Sequence, residues 1–257
     1  MNKKLSLKNK RNINKIFHES CLDTLQKLED QSIDLVITSP PYNMNLRISK
    51  GRYHSRQIVK ELSTKYEGFS DNLPLNDFYE FHSKVLKELL RVSDLVFYII
   101  SIVTGSKRAF FQMIGDFSDN LKEIFVWDKS YGIPAMPSKT LNRRVEFVLV
   151  FEKDYPISRQ FRNRAQFDRG TLEDLWEIKR DRSEFSSHGA VFPKELVKKS
   201  LKNFSQTGDI IYDPFSGTGT TAVVSKEMGR TFIGSEIIKK FVNLSRKRLR
   251  ETKTNFD

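Results

Sequence analysis

The chain has 257 residues, 38% hydrophobic and 30% charged, which excludes a fibrous or wholly disordered polymer and leaves enough apolar mass for a core. Its 44 Lys and Arg against 32 Asp and Glu give a formal charge of +12, which favours a polyanionic partner, nucleic acid first and an anionic membrane surface second. A single cysteine, Cys21, excludes an intramolecular disulfide framework and a multi-cysteine zinc site, and suits a reducing compartment.

The basic stretch from Met1 to Lys15 lacks the apolar run of a signal peptide, and the longest apolar run, Leu95 to Ile100, is too short to span a bilayer. A cytoplasmic chain is therefore expected. Leu22, Leu25 and Leu28 have the spacing of one helical face. Ser32 to Ile37 leads into a short buried strand that Pro40 and Pro41 stop. Between Asn43 and Tyr66, Arg47, Lys50, Arg52, Arg56, Lys60 and Lys65 are opposed only by Glu61. A loop of that length without periodicity is functional or disordered. Asp77 to Arg91 predicts a helix with Phe78, Phe81, Val85 and Leu89 inward, and Leu95 to Ile102 a buried strand. Ile124 to Trp127 and Val145 to Phe151 predict two more strands, parted by a turn-rich segment containing Gly132, Pro134 and Pro137. Asp154 to Ser187 has no clear period and many arginines. Phe192 to Phe204 predicts a helix with Pro193 in its first turn. Ile210–Tyr212, a Gly-rich segment, Thr221–Met228, Phe232–Ile233 and Lys239–Leu249 then alternate strand, turn, helix, strand and helix. That alternation predicts an α/β protein with a mostly parallel sheet, in one domain over residues 1–257.

In the Gly-rich segment, Gly217, Gly219 and Ala222 fit the G-x-G-x-x-G/A spacing between a strand and a helix, where glycines permit a tight turn and close approach of a cofactor. Glu236 follows the next strand, at the place where an acid can take both hydroxyls of a ribose. A phosphate-cradling loop is excluded, because no Gly-Lys-Ser/Thr follows. Only 21 residues follow Glu236, too few for a second mononucleotide-binding half, so a single-nucleoside cofactor is expected over a dinucleotide. The alternative is a turn that merely packs a helix on a strand.

A second signal is Thr38-Ser39-Pro40-Pro41-Tyr42, directly after a buried strand. In α/β sheets, ligands collect beyond the carboxyl ends of strands. The Pro40 carbonyl and the Ser39 hydroxyl are acceptors, Pro41 stiffens the turn, and Tyr42 adds an aromatic face. Two acceptors beside a plate suit a planar group bearing an NH2. Accepting both N–H hydrogens draws a delocalised nitrogen toward tetrahedral geometry, which favours attack on an electrophilic methyl. Tyr42 would stack on a base taken out of its duplex. A rigid structural turn with a buried tyrosine is the alternative.

Together, Ser39-Pro40-Pro41-Tyr42 and Asp213-Pro214-Phe215-Ser216-Gly217-Thr218-Gly219-Thr220-Thr221 resemble the DNA amino-methyltransferases, which methylate cytosine N4 or adenine N6 from S-adenosylmethionine. With the catalytic turn early and the cofactor turn late, the order is similar to their permuted beta group. The resemblance runs from about Ile16 to Leu249. It implies a class I, Rossmann-like, mostly parallel sheet in permuted order, with a basic target-recognition insert. It implies catalytic roles for Ser39, Pro40, Pro41 and Tyr42, and cofactor contacts for Asp213, Phe215, Gly217, Gly219, Thr220 and Glu236. His188, in His188-Gly189-Ala190-Val191-Phe192-Pro193, would help close the pocket, with a plain loop histidine fitting equally, and Trp127-Asp128-Lys129 resembles a strand end near the target base, although a core tryptophan with a solvated lysine fits equally. Where the family places Gly-Asp for the cofactor adenine, this chain has Glu19-Ser20, so Ser20, Glu19 or Asp23 would make that contact.

Cytosine C5 chemistry needs a cysteine nucleophile, typically after a proline. Cys21 follows Ser20 in a predicted helix and reads as a buried small hydrophobe. Serine before Pro-Pro-Tyr resembles the N4-cytosine enzymes, whereas the following Asn43 is similar to several adenine enzymes, so the resemblance implies N4 of cytosine by a slight margin. The partner implied is double-stranded DNA, with a homodimer and a cognate restriction endonuclease as further partners. DNA-reading candidates lie in the loop 43–66 (Arg47, Arg52, Arg56) and in about 130–187 (Arg143, Arg144, Arg162, Arg164, with Arg159 and Arg169). Asp154, Asp168 and Glu173 are interspersed there, so a solvated charged face accounts for about half of these arginines. No metal is required. The competing readings are a nicotinamide-dependent oxidoreductase, a catalytically idle DNA-binding protein, and a methylase of RNA or of protein glutamine.

Overall fold

The computed structural model describes residues 13–43, 47–49, 52–54, 73–103, 105–133, 139, 141–154, 158, 160–161, 164–181 and 193–254. In chain order the elements are β1 (Lys15–Phe17), α1 (Cys21–Leu25), β2 (Leu35–Thr38), β3 (Arg47–Ser49), β4 (Arg52–His54), α2 (Leu75–Val92), β5 (Leu95–Ile100), α3 (Lys107–Asp116), β6 (Leu121–Ile133), β7 (Arg143–Glu152), β8 (Leu175–Glu177), α4 (Lys194–Phe204), β9 (Ile210–Asp213), α5 (Thr220–Glu227), β10 (Thr231–Ser235) and α6 (Lys239–Glu251).

β2, β5 and β9 are apolar on both faces and sit in the interior of an eight-stranded sheet of order β1-β10-β9-β2-β5-β7-β6-β8. β1, β10, β9, β2 and β5 are parallel, and β7 alone runs against its neighbours. Such a sheet needs cover on both sides. Alternate residues of β5 supply each side: Val96, Tyr98 and Ile100 pack with α1, α2 and α3, whereas Leu95, Phe97 and Ile99 pack with α4 and α5. Ile16, Ala222, Phe232 and Val242 form a smaller cluster that seats α6 against the β1 edge. Burying all six β5 side chains contributes on the order of 10 kcal/mol, which fixes β5 as a central strand.

Several predicted bounds shift. The stretch 43–66 contains the antiparallel strand pair β3 and β4. Ile124–Trp127 is the middle of a 13-residue strand, which pairs with β7 as far as Asp128 and, past an irregularity in register, again at Ile133. Pro193 caps α4 from an extended conformation, one residue before the first helical position. β1, α3 and β8 were not predicted. No helix among the described residues is long and apolar enough to cross a membrane. A cleft of about 870 Å³ opens on the β1 edge, bordered by Asn14 and Lys15 before and within β1 and by Arg250 and Thr254 at the end of α6. It lies toward the amino ends of β1 and β10, away from the turns described next.

Candidate active site

β2 and β9 are parallel neighbours, with Leu35 opposite Ile211 and Val36 opposite Tyr212. Their carboxyl ends therefore emerge side by side. One continues into Ser39-Pro40-Pro41-Tyr42 and the other into Pro214–Gly219. Asp213 joins them. Its Oδ1 accepts from Thr38 Oγ1 at 2.8 Å and from the Phe215 amide at 3.1 Å, while Oδ2 accepts from Thr221 Oγ1 at 2.8 Å. Burial pushes the Asp213 carboxyl up to about 6, against the pull of these three donors. The carboxylate is thus turned into the protein as the clasp of both turns.

The Gly-rich turn needs its glycines for two separate reasons. Gly217 (φ 50°) and Gly219 (φ 81°) both have left-handed backbones. A Cβ at Gly219 would also stand 2.6 Å from Ser245 Cβ, so glycine lets α5 start against α6. Glu236 Oε2 accepts the Gly217 amide and its Oε1 accepts the Ile238 amide, each at 2.8 Å. Burial raises the Glu236 carboxyl, opposed by those amides. A carboxylate has about four acceptor positions, so Glu236 keeps acceptor capacity that could take the hydroxyls of a ribose. Ser216 Oγ is buried with no hydrogen-bond partner. The Thr220 hydroxyl and the Thr218 carbonyl accept from Arg248, at 3.5 and 2.6 Å.

The neighbouring strand ends complete this rim. The Glu236 amide donates to Phe17 O at 3.0 Å, and His18 Nε2 lies 3.0 Å from Ile237 O. His18 is a residue that sequence reasoning missed, because β1 is too short to announce itself. Ser20 is the N-cap of α1 and accepts from the Leu22 amide at 3.3 Å. Glu19 is engaged by Thr24 at 2.8 Å and by Lys27. Cys21 is buried, which pushes its thiol up to about 12. Phe215 packs edge-on against Phe81. Behind it lies His82, whose Nδ1 is 2.5 Å from the Tyr98 hydroxyl and whose side chain burial pushes down to about 3. His188 lies outside the described residues.

At the proline turn, Ser39 Oγ and the Tyr42 hydroxyl are 2.8 Å apart. The Tyr42 hydroxyl also donates to Glu146 Oε2 at 3.2 Å and to Ile99 O at 3.3 Å. Glu146 lies on β7, which returns antiparallel beside β5 with Ile100 opposite Phe147, so its side chain reaches the carboxyl end of β5. Lys129 Nζ meets Glu146 Oε1 at 3.0 Å, and an Arg180 nitrogen is 3.7 Å from the same oxygen. Of the two readings of Trp127-Asp128-Lys129, the core tryptophan agrees with the burial of Trp127, but Lys129 is buried and ion-paired, not solvated. Burial lowers its ammonium while Glu146 raises it. Asn43 is spent on the main chain: its amide nitrogen donates to Leu73 O at 3.0 Å and its oxygen accepts from the Leu73 amide at 2.8 Å.

The arginines divide. Arg143 and Arg144 stand at the start of β7, beyond the same sheet end as the two turns. Arg143 bonds Ile102 O, and Arg144 is forked onto Asp128 through two 2.6 Å bonds while remaining half exposed. Arg164 is a correction. It is clamped between Asp34 and Asp209, the residues that enter β2 and β9, so it closes the opposite end of the sheet and cannot reach a ligand at the turns. Arg47 and Arg52 lie on β3 and β4, whereas Arg56 and Arg162 lie outside the described residues.

Comparison with known proteins agrees with this geometry. A family model for DNA methylases matches residues 33–247. The type II methyltransferase M.HinfI of Haemophilus influenzae is 26% identical over 264 residues, covering 95% of this chain and 70% of that protein. M2.DpnII of Streptococcus pneumoniae is 25% identical over 257 residues, covering 93% and 91%. Among solved structures, the cytosine-N4-specific PvuII DNA methyltransferase superposes with a TM-score of 0.65 at 20% identity, over 92% of this chain and 90% of that one. A DNA modification methylase of Thermus thermophilus gives 0.63 at 18% identity, over 93% and 95%. With the family match spanning both turns and the strands that carry them, this chain belongs to the DNA methylases.

Proposed function

We propose that this DNA methylase transfers a methyl group from S-adenosylmethionine to the exocyclic amine of a base flipped out of duplex DNA, with N4 of cytosine favoured over N6 of adenine. The observation that carries this reading is the 2.8 Å bond from Thr38 to Asp213, which holds an amine-accepting turn and a nucleoside-binding turn against each other. The residues present fit the cofactor: Glu236 keeps acceptor capacity beside Gly217, Ser216 has an unpartnered hydroxyl, and Phe215 offers a half-buried ring. When bound, S-adenosylmethionine supplies a methyl carbon on a sulfonium sulfur that departs as a neutral thioether. Ser39 Oγ and the Pro40 carbonyl accept the two amine hydrogens, which localises the nitrogen lone pair. Tyr42 stacks on the base and the prolines keep the turn rigid. Ser20 serves adenine recognition through its position at the α1 cap, not through charge.

Cytosine is favoured because Ser39 begins the turn and because Asn43, the residue that points to adenine, is committed to Leu73. Arg143 and Arg144 meet DNA beyond the β7 end, together with the 43–66 insert. A cognate restriction endonuclease follows from the type II designation of the relatives, and a homodimer from the family resemblance.

The test is methyl transfer from labelled S-adenosylmethionine into duplexes in which only cytosine or only adenine can be modified, followed by base analysis. N4-methylcytosine is expected. Transfer to N6 alone overturns the cytosine preference, and full activity in Ser39→Ala or Tyr42→Ala overturns the assignment of the turn. Duplex affinity should fall at least roughly hundredfold between low and moderate salt, and a flat dependence counts against DNA as substrate.

A further inference from the structure

The Tyr42 hydroxyl has one hydrogen, and two of its neighbours can only accept: Ile99 O at 3.3 Å and Glu146 Oε2 at 3.2 Å. Either hydroxyl can donate in the 2.8 Å contact between them, and with the Tyr42 hydrogen on one of these acceptors the donor in that contact is Ser39. A serine that has given up its hydrogen offers only lone pairs to a third group, as the Pro40 carbonyl does. Glu146 is kept from turning by Lys129, whose ammonium is buried and holds Oε1 at 3.0 Å, with Arg180 at 3.7 Å on the same oxygen. Oε2 is left facing Tyr42. Without that carboxylate the Tyr42 hydrogen could swing onto Ser39 Oγ, and the Ser39 hydrogen would then meet an incoming N–H donor to donor.

We propose that Glu146, braced by Lys129, is a positioning residue that sets the direction of the Ser39–Tyr42–Glu146 hydrogen-bond chain, so that Ser39 Oγ presents only lone pairs to the target amine. This rests on the methyl-transfer reading of Ser39. Glu146 touches neither base nor cofactor in this scheme and acts through Tyr42. A buried lysine on β6 whose partner is a carboxylate on β7, one strand removed from the proline turn, is thereby given a purpose that packing alone does not require.

The test uses the full chain and duplex DNA, with steady-state kcat and KM measured for Glu146→Gln, Tyr42→Phe and the double variant. In Glu146→Gln, Lys129 retains the amide oxygen and the amide NH2 turns to Tyr42, reversing the chain. In Tyr42→Phe the ring stays and the hydroxyl goes. Each single change is expected to lower kcat roughly tenfold while KM for S-adenosylmethionine and for DNA stays within about twofold. The double variant should be no slower than the slower single one, because both cut the same chain. Tyr42→Phe or folded Glu146→Gln with wild-type kcat, a loss confined to KM, or losses that multiply in the double variant each overturn the proposal. Because Tyr42→Phe removes only a hydroxyl from a half-buried ring, it decides the matter even if Glu146→Gln does not fold. Ser39→Ala separates the two ideas: inactive Ser39→Ala beside fully active Glu146→Gln sinks only the positioning role, whereas fully active Ser39→Ala sinks the catalytic turn itself.

Discussion

Asp213→Asn should make the clasp between the two turns indifferent to pH. In the wild type, burial raises this carboxyl from 3.8 to about 6, which corresponds to about 3 kcal/mol of penalty on the charged form. The side chain is only 1% exposed, so solvent does not discount that figure. The folded state therefore binds the proton more tightly than the unfolded state, and stability falls as pH rises from about 4 to about 6, then levels. Asparagine cannot titrate. The stability of Asp213→Asn relative to wild type should accordingly improve by about 3 kcal/mol over that window and stay constant above about pH 7. Urea unfolding of both proteins in the same buffers measures it, because groups remote from Asp213 cancel in the difference and Glu236, its charged neighbour, is the smallest of the contributions to its shift. Thr38→Val removes one of the donors that pull the carboxyl down, so it should carry the window above pH 6. A difference that is flat across the range, or that moves toward the wild type with rising pH, refutes the account of Asp213 as a buried carboxylate held charged by its donors.

Gly219→Ala should cost about 2–4 kcal/mol in chemical denaturation, from the left-handed backbone and the 2.6 Å approach to Ser245 Cβ. Measured against Ser245→Gly alone, which removes the approaching Cβ, Gly219→Ala should cost only about 1 kcal/mol of backbone strain. His82 has the opposite sign to Asp213. Burial lowers it to about 3, so the unfolded chain takes the proton first and wild-type stability falls as pH drops below 6.5. The paired change His82→Leu with Tyr98→Phe should remove about 2 kcal/mol of that loss between pH 6.5 and about 5, read from the same unfolding curves. Cys21, with its thiol pushed up to about 12, should resist a thiol reagent at mildly alkaline pH in the native protein and react at once in denaturant.

The parts of this fold that are legible in the sequence are those whose own residues decide them. β2 is an apolar run stopped by a proline doublet, β9 is one that ends in a Gly-rich turn, and α2 has one apolar stripe. Both turns could therefore be placed at strand ends, and the strand register puts those ends together. α3 also carried a signal, in the spacing of Ala109, Phe110 and Met113 on one face. β1 and β8 carried none, because three-residue strands owe their form to the neighbours they pair with. The same holds for single side chains. Arg164 reads as one more basic residue until Asp34, 130 positions earlier, and Asp209 close on it. Glu146 stands 104 positions from Tyr42, and nothing around it in the sequence distinguishes it from a surface acid on a strand. Long-range polar pairing is set by the sheet, so it appears only once the strands are ordered.

Asn14 and Thr254 border the same cleft on the β1 edge, so the fold brings the segment that enters β1 and the one that leaves α6 to a common place. A linker joining those two positions, with the chain opened between β8 and α4, would move the Gly-rich turn ahead of the proline doublet. Every strand pairing described and the threonine–aspartate clasp would survive the rearrangement, since none of them depends on which segment the ribosome makes first.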